Sequence, residues 1–348
     1  MSSDKFIITW TGDFNDRQGV CRYRDIGLSM LAKHPRIEQR AFAEHRQQIG
    51  PDQIGDAQGV IVLTPAVTAQ SVSKADQLLV MARFGVGYDA VDVKACTAAD
   101  VLVTITTGAV DRSVAEATIG WMIALSHHFL IKDRLARAGQ WDERSKYMGR
   151  ELRDRTLGII GLGGIGRKTI ELLSALGMKQ PLAHDPFVTE NVAAAAGVRL
   201  VMLEELLREA DFVSIHCPLT DTTRGLIGAP QLALMKPEAY LINTARGGIV
   251  DEDALYDALK SRRIAGAALD CFAQEPVTTP SRFAEFDQVL LAPHCIAWTD
   301  ELFRDIGRAT CQVMIDLSTG VKPHGALNPE VLERPSFQKK WQRFARRL

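Results

Sequence analysis

Three short segments, each following an apolar run, end in side chains that could do chemistry: Arg246 in NTARGGIVDEDAL, Glu275 in ALDCFAQEP and His294 in LAPHC. These types work together. A guanidinium fork grips a carboxylate and a carbonyl oxygen, a histidine gives or takes a proton, and a glutamate beside it orients the ring and stabilises the imidazolium. The set suits reduction of a 2-oxo acid, which needs a hydride partner. Taken singly, each residue also has a plainer reading: a surface ion pair for Arg246, a turn residue before Pro276 for Glu275, and a loop contact after Pro293 for His294.

A place for the hydride partner lies upstream, between Thr156 and Asp185. Leu157 to Ile160 read as a buried strand, and Gly161, Gly163 and Gly166 form a G-x-G-x-x-G turn that opens a helix over about Ile165 to Leu176. The first glycine makes the tight turn, the second lets backbone approach a pyrophosphate, and the third lets helix pack on strand. The amides at the helix start then face the phosphates. A second apolar run ends at Asp185, 24 residues after Gly161. A carboxylate there accepts hydrogen bonds from ribose hydroxyls and repels a 2′-phosphate, favouring NAD over NADP.

The elements that must position these residues alternate strand and helix. KFIIT, GVIVL, Leu78 to Met81 and VLVTIT precede the glycine turn and predict a first parallel α/β unit of about a hundred residues. Phe212 to Ile215, Tyr240 to Asn243, Gly266 to Leu269 and Val289 to Ala292 follow it, each with polar or glycine-rich residues just after the strand. An open α/β sheet places its ligand crevice at those strand ends. Ser113-Val-Ala-Glu116 reads as a capping box, and the apolar recurrence of Ala117, Trp121, Leu125, Phe129 and Leu135 predicts one long helix from Ser113 to about Ala138. At roughly 26 residues such a helix would bridge domains or a subunit contact. Another helix is expected over Asp300 to Leu317. In the tail SFQKKWQRFARRL, Phe337, Trp341 and Phe344 share a helical face. Lys339, Lys340, Arg343, Arg346 and Arg347 make that tail basic, and a terminal helix docking its aromatics is the expected reading over a nucleic-acid contact.

The 348 residues are 46% hydrophobic and 24% charged, with a net charge of −1 from 41 basic and 42 acidic residues. An even balance offers no bulk field for nucleic acid or an anionic membrane, so a small-molecule partner is expected. No apolar run is long enough to span a membrane, and the start MSSDKFIITW lacks a leader's apolar core. Cys21, Cys96, Cys217, Cys271, Cys295 and Cys311 are scattered without C-x-x-C spacing, which predicts reduced thiols, a cytoplasmic setting and no metal.

Seven blocks in one order carry a family resemblance: RFGVGYDAVD, TTGAVDRSVAEATIGWMIAL, GRELRDRTLGIIGLGGIGR, HCPLTDTTRGLIG, MKPEAYLINTARGGIVDEDAL, ALDCFAQEP and LAPHCIAWT. The chain resembles the D-isomer-specific 2-hydroxyacid dehydrogenases over most of its length. The resemblance implies Arg246, Glu275 and His294 as the catalytic set, with His294 exchanging the proton as hydride moves and Arg246 clamping the substrate. It also implies that backbone amides at Val86 and Gly87 hold the substrate carboxylate. Cofactor contacts are implied at Gly161, Gly163, Gly164, Ile165, Gly166, Asp185, Pro218, Thr223, Ala245 and Asp270, the last toward the carboxamide. His216 and Cys217 read as buried spacers. Chain order and resemblance together imply an α/β fold of two Rossmann-like domains with parallel sheets, flavodoxin-like plus dinucleotide-binding, and a cleft between them that closes on substrate. A discontinuous substrate domain is expected over 1–107 and 298–348, an NAD-binding domain over 108–297, and a homodimer as in the family.

Departures from the family pattern bear on the substrate. Where many relatives place arginine and serine after the strand corresponding to GVIVL, this chain reads VLTPAVTAQ, with Val62 and Leu63 near the usual cation. A phosphate would want a guanidinium or ammonium partner, so a phosphorylated substrate is disfavoured, with Arg17, Arg22 and Arg24 as possible replacements. Ile296 and Ala297 are bulkier than the small pair common after the histidine. The long regulatory extension of many phosphoglycerate dehydrogenases is not present in these 348 residues. The expected activity is therefore interconversion of a small 2-hydroxy and 2-oxo acid, as in a glyoxylate, hydroxypyruvate or sugar-acid reductase. The alternatives are phosphoglycerate dehydrogenase and, from another class, an NAD(H)-sensing corepressor. Formate dehydrogenase is disfavoured, since it carries glutamine where Glu275 stands.

Overall fold

In the computed structural model, residues 5–345 are described. The chain divides into two compact units, one built from Met1–Val110 with Thr299–Leu348 and the other from Asp111–Trp298. No single helix among the described residues is long and apolar enough to cross a membrane.

The first unit holds a five-stranded parallel sheet: β1 (Phe6–Trp10), β2 (Ile37–Ala41), β3 (Gly59–Val62), β4 (Val80–Arg83) and β5 (Leu102–Thr104), in the order β2-β1-β3-β4-β5. The order is that of a flavodoxin-like sheet. Strand β3 is buried along its whole length, as a parallel strand covered on both faces must be. Val60, Val62, Met81, Val101 and Val103 share one core cluster with Ile49, Ile54 and Cys96. The C-terminal segment completes this unit. Asn328, 2% exposed, accepts from the Val103 amide at 2.8 Å and donates to Val101 O at 3.0 Å, fastening the segment to β5.

The second unit is a seven-stranded parallel sheet: β6 (Leu157–Ile160), β7 (Leu182–His184), β8 (Arg199–Leu200), β9 (Phe212–Ile215), β10 (Tyr240–Asn243), β11 (Gly266–Leu269) and β12 (Val289–Leu291). Its order, β12-β11-β10-β9-β6-β7-β8, reverses direction between β6 and β9, so the first strand of the dinucleotide fold borders the switch point. Alternation along the strands splits the core. Leu157, Ile159, Phe212, Tyr240 and Ile242 pack with Trp121, Met122 and Leu125 of the helix Asp111–Ser126. Ile160, Val213, Ile215, Leu241 and Leu269 pack on the other face with Leu206 and Leu255, from the helices Leu203–Glu209 and Glu252–Lys260.

The single long helix expected from Ser113 is two. The first runs Asp111–Ser126, so Ser113 lies inside it rather than at its cap, and the second runs Phe129–Arg137 after a bend of 60°. The break is at His128, whose φ of 56° is left-handed and stops the helical ladder. A returning loop takes over the freed backbone, with the Arg150 amide donating to Ser126 O at 2.8 Å. Gly149 lies so close that a Cβ there would stand 2.9 Å from the same oxygen. The apolar recurrence persists across the break, which is why sequence spacing alone runs straight through it.

The tail docks as its aromatic spacing implies. In the helix Pro335–Trp341, Phe337 and Trp341 are buried, and the Trp341 indole donates to Leu317 O at 2.7 Å. Phe344 follows that helix, half-buried, and its carbonyl accepts from Arg36. Arg346 and Arg347 lie outside the described residues. Truncation of Trp341 to alanine should lower folding stability by about 3–5 kcal/mol, and truncation of the exposed Arg343 by under about 0.5 kcal/mol. Denaturant unfolding of the two variants checks this: equal, small losses would mean that the aromatic face does not anchor the tail.

Candidate active site

The carboxyl ends of β6, β7, β9, β10, β11 and β12 carry the chemistry-bearing residues of the second unit. At the end of β6, Gly161 turns with φ of 96°, and a Cβ there would meet Cys217 N at 2.7 Å, so only glycine fits. A Cβ on Gly166 would stand 2.6 Å from Gly161 O, which is the close approach of helix to strand. Nothing lies within 4 Å of a Cβ built on Gly163, leaving open space where backbone would face a pyrophosphate. The amides of Gly163, Gly164 and Ile165, at the start of the helix Gly164–Leu173, donate no hydrogen bond among the described residues. The turn therefore fits a bound dinucleotide.

Asp185, just past β7, has a second task that its spacing does not reveal. Its Oδ2 accepts from the Leu162 amide and its Oδ1 from the Phe187 amide, both at 2.9 Å. The carboxylate thus pins the glycine turn, and an oxygen of this kind has lone pairs to spare for ribose hydroxyls. Arg199, the nearest arginine after it in sequence, is ion-paired with Glu205 and with Glu209. After β9, the Thr223 hydroxyl donates to Pro218 O at 2.7 Å and accepts from the Thr220 amide, closing its own loop.

His294, Glu275 and Arg246 converge after β12, β11 and β10. The His294 Nδ1 lies 2.7 Å from Glu275 Oε2, and Glu275 Oε1 accepts from the Phe272 amide at 2.8 Å. Burial works against the Glu275 charge, but the hydrogen bond from His294, the Phe272 amide and the charge of Arg246 outweigh it and hold its pKa below the usual carboxylate range. Arg246 Nη1 donates to Ala245 O at 2.7 Å. The Cys271 thiol donates to the same carbonyl at 3.3 Å, and its sulfur lies within 4.8 Å of ligand-type atoms of Glu275 and His294, a trio able to hold a metal ion. One close approach joins the loops: a Cβ on Gly247 would stand 1.8 Å from Phe272 O, so the Arg246 loop lies directly on the Glu275 loop.

Asp270 does more here than its expected cofactor contact. It is 5% exposed, and its Oδ1 accepts from the amides of Cys295 at 2.8 Å and Ile296 at 3.1 Å, while its carbonyl accepts from the His294 amide. His294 itself has a left-handed φ of 53°, unusual for a residue with a Cβ. Three bonds to Asp270 hold it there. The signal that could have found this is the pairing of an aspartate at one strand end with Pro-His-Cys at the next. Asn243 was also missed: it bridges Ala245 N at 3.0 Å and Arg246 O at 2.9 Å, shaping the turn that presents Arg246.

In the first unit, Val86 and Gly87 follow β4, and their amides donate no hydrogen bond among the described residues. Both residues are partly exposed.

With this geometry in place, likeness to known proteins becomes decisive. Residues 119–295 match the family model described as "D-isomer specific 2-hydroxyacid dehydrogenase, NAD binding domain". A glyoxylate reductase of Korarchaeum cryptofilum is 34% identical over 90% of this chain and 96% of its own. The chain belongs to the D-isomer specific 2-hydroxyacid dehydrogenase family. A D-3-phosphoglycerate dehydrogenase of Synechocystis is 38% identical over 77% of this chain and 49% of its own. The chain spans about half the length of the phosphoglycerate dehydrogenases it matches. Among solved structures, a D-lactate dehydrogenase from Aquifex aeolicus, complexed with NAD and lactic acid, superposes with a TM-score of 0.77 at 27% identity, covering 90% of this chain and 96% of that one. The family assignment makes NAD the cofactor that the glycine turn and Asp185 fit.

His216 reads as structure rather than chemistry. Its Nε2 lies 2.9 Å from Ser214 Oγ, its Nδ1 is buried without a partner, and burial pushes its pKa down to about 4. Between that value and the ordinary 6.5, the unfolded chain takes up a proton that the folded chain refuses. Stability contributed by the neutral ring is present above pH 6.5 and is lost as pH falls toward 4, by up to about 2–3 kcal/mol at pH 4.5. Denaturant unfolding at pH 7 and 4.5 should show a smaller acid loss in His216→Gln than in the parent protein. Identical pH slopes would show that the ring titrates freely.

Proposed function

We propose that the protein is an NAD(H)-dependent oxidoreductase interconverting a small, unphosphorylated D-2-hydroxy acid and its 2-oxo acid. The observation that carries the reading is the 2.7 Å contact of His294 Nδ1 with Glu275, beside Arg246 and at the strand ends of an NAD-binding domain. Bound NADH supplies the hydride. With Nδ1 committed to Glu275, Nε2 is the ring nitrogen left to give a proton to the carbonyl oxygen in reduction and to recover it in oxidation. Glu275 fixes the ring and stabilises the imidazolium, Arg246 clamps and polarises the substrate, and the amides of Val86 and Gly87 receive its carboxylate. Residues 1–110 and 299–348 then form the substrate-binding domain. Ion-paired Arg199 offers no ready partner for a 2′-phosphate, which supports NADH over NADPH.

The absence of a cation after β3 supports an unphosphorylated substrate. Register places Trp10 beside Ile61 and Val62 beside Arg83, so Asp13, Thr64 and Gly85 emerge at one level from neighbouring strands. Asp13 Oδ2 accepts from the Thr64 amide at 2.9 Å and from its hydroxyl, putting a carboxylate where a phosphate would need a cation. Arg22 is committed to Asn15 O at 2.8 Å, and Arg24 pairs with Asp300 at 3.2 Å. Phosphoglycerate dehydrogenase is the second reading, favoured by identities of 37–38% to such enzymes. A cytoplasmic homodimer is part of the proposal. Its support is six cysteines that form no disulfide among the described residues and the exposed apolar side chains of Phe129, Trp141 and Met148 beyond the helix break at His128.

NADH oxidation with a panel of 2-oxo acids tests the substrate. Glyoxylate and hydroxypyruvate should be reduced with higher kcat/KM than phosphohydroxypyruvate; the reverse order selects the second reading, and no turnover with any acid despite NADH binding selects a sensor. The proton role has its own check. His294→Ala should lose about 10²–10⁴-fold in turnover while keeping its NADH affinity, and near-normal reduction by that variant would remove His294 from proton transfer.

A further inference from the structure

The basic tail contains a lysine that the catalytic reading leaves unused. Lys340 is only 9% exposed, and its Nζ donates to Asp100 O at 2.7 Å and lies 5.9 Å from the Phe337 ring centre. It borders a cavity of about 420 Å³, within the first unit, whose polar wall is Asp76, Asp100, Ser336, Lys339 and Arg343. Of the two carboxylates, Asp100 is already paired with Arg334 at 3.0 Å. Lys339, Arg343 and Asp76 are exposed in this lining. The result is a sheltered amine bordering a cavity whose lining holds three basic and two acidic side chains, one of the acids already paired.

We propose that Lys340 is a modification site, acylated on Nζ by small acyl phosphates that Lys339 and Arg343 draw into this cavity. The amine lone pair forms a C–N bond to the acyl carbon, the C–O bond to phosphate breaks, and phosphate leaves with that electron pair. The amine's lost proton passes to phosphate or water. The cavity admits an acyl phosphate, and the two cations offset the charge of the leaving phosphate. An N-acylated Lys340 keeps one N–H, enough to preserve the bond to Asp100 O, so modification leaves the tail seated.

Burial lowers the Lys340 pKa to about 8, with Asp100 and Asp76 opposing the shift. Near pH 7.5 the fraction of free amine is then roughly two orders of magnitude above that of an ordinary lysine. A weaker base is also a weaker nucleophile, so a rate advantage of about tenfold is the expectation.

The test uses the full-length protein and acetyl phosphate between pH 7 and 9, with acetylation of each lysine read by peptide mass spectrometry. Lys340 should be labelled about tenfold faster than the exposed Lys33 and Lys94 at pH 7.5, and its rate should level off above pH 8 while theirs keep rising. The double variant Lys339→Ala/Arg343→Ala should slow labelling of Lys340 severalfold and leave Lys33 unchanged. Labelling of Lys340 no faster than Lys33 in the parent protein overturns the site, and an unchanged Lys340 rate in the double variant overturns the acyl phosphate as its reagent.

Discussion

A chain leaving the carboxyl end of a buried parallel strand must turn back at once, and the amides of the turn must find acceptors. In this protein that constraint builds the site. Asp270 supplies one carboxylate oxygen to two amides after His294, and Asp185 supplies one to the glycine turn and another to its own loop. Both aspartates stand at strand ends, where a neighbouring loop begins within hydrogen-bond reach. The glycine turn and the backbone around His294 are therefore held by carboxylates engaged in structural hydrogen bonds.

The same economy explains the backbone of His294. A left-handed residue with a Cβ costs on the order of 1 kcal/mol and persists only where its surroundings over-determine it. Here the ring is fixed by Glu275 and the backbone by Asp270, so side chain and main chain are both gripped from the one loop that follows β11. Gly247 then sets how near the Arg246 loop can come, since any larger residue would collide with Phe272 O.

Much of this was legible in the sequence because it is local. The glycine turn declares itself within six residues, and the strands around it are short apolar runs with turn residues after them. Glu275 and His294 were different: each alone fits a bland role, and only the family blocks joined them. What escaped was set by distant chain. The helix break at His128 depends on Gly149 and Arg150, some twenty residues on, and histidine carries no breaking signal of its own. Lys340 sat in a tail whose composition reads only as basic, with its aromatics expected to dock. Its place between Phe337 and Trp341 on a docked helix turns it inward.

The discontinuity of the first unit has a consequence for how the protein is made. Its sheet is encoded by the first hundred or so residues, yet Met314 packs on Gly59 and Asn328 closes β5, both from beyond the whole second unit. On the ribosome, the seven-stranded unit emerges complete while the five-stranded one still lacks a wall. The first segment must wait through the synthesis of some 190 residues, at about 5–20 residues per second. Its apolar strands are exposed to chaperones and to one another for that interval, and the last elements translated decide when the first can become native.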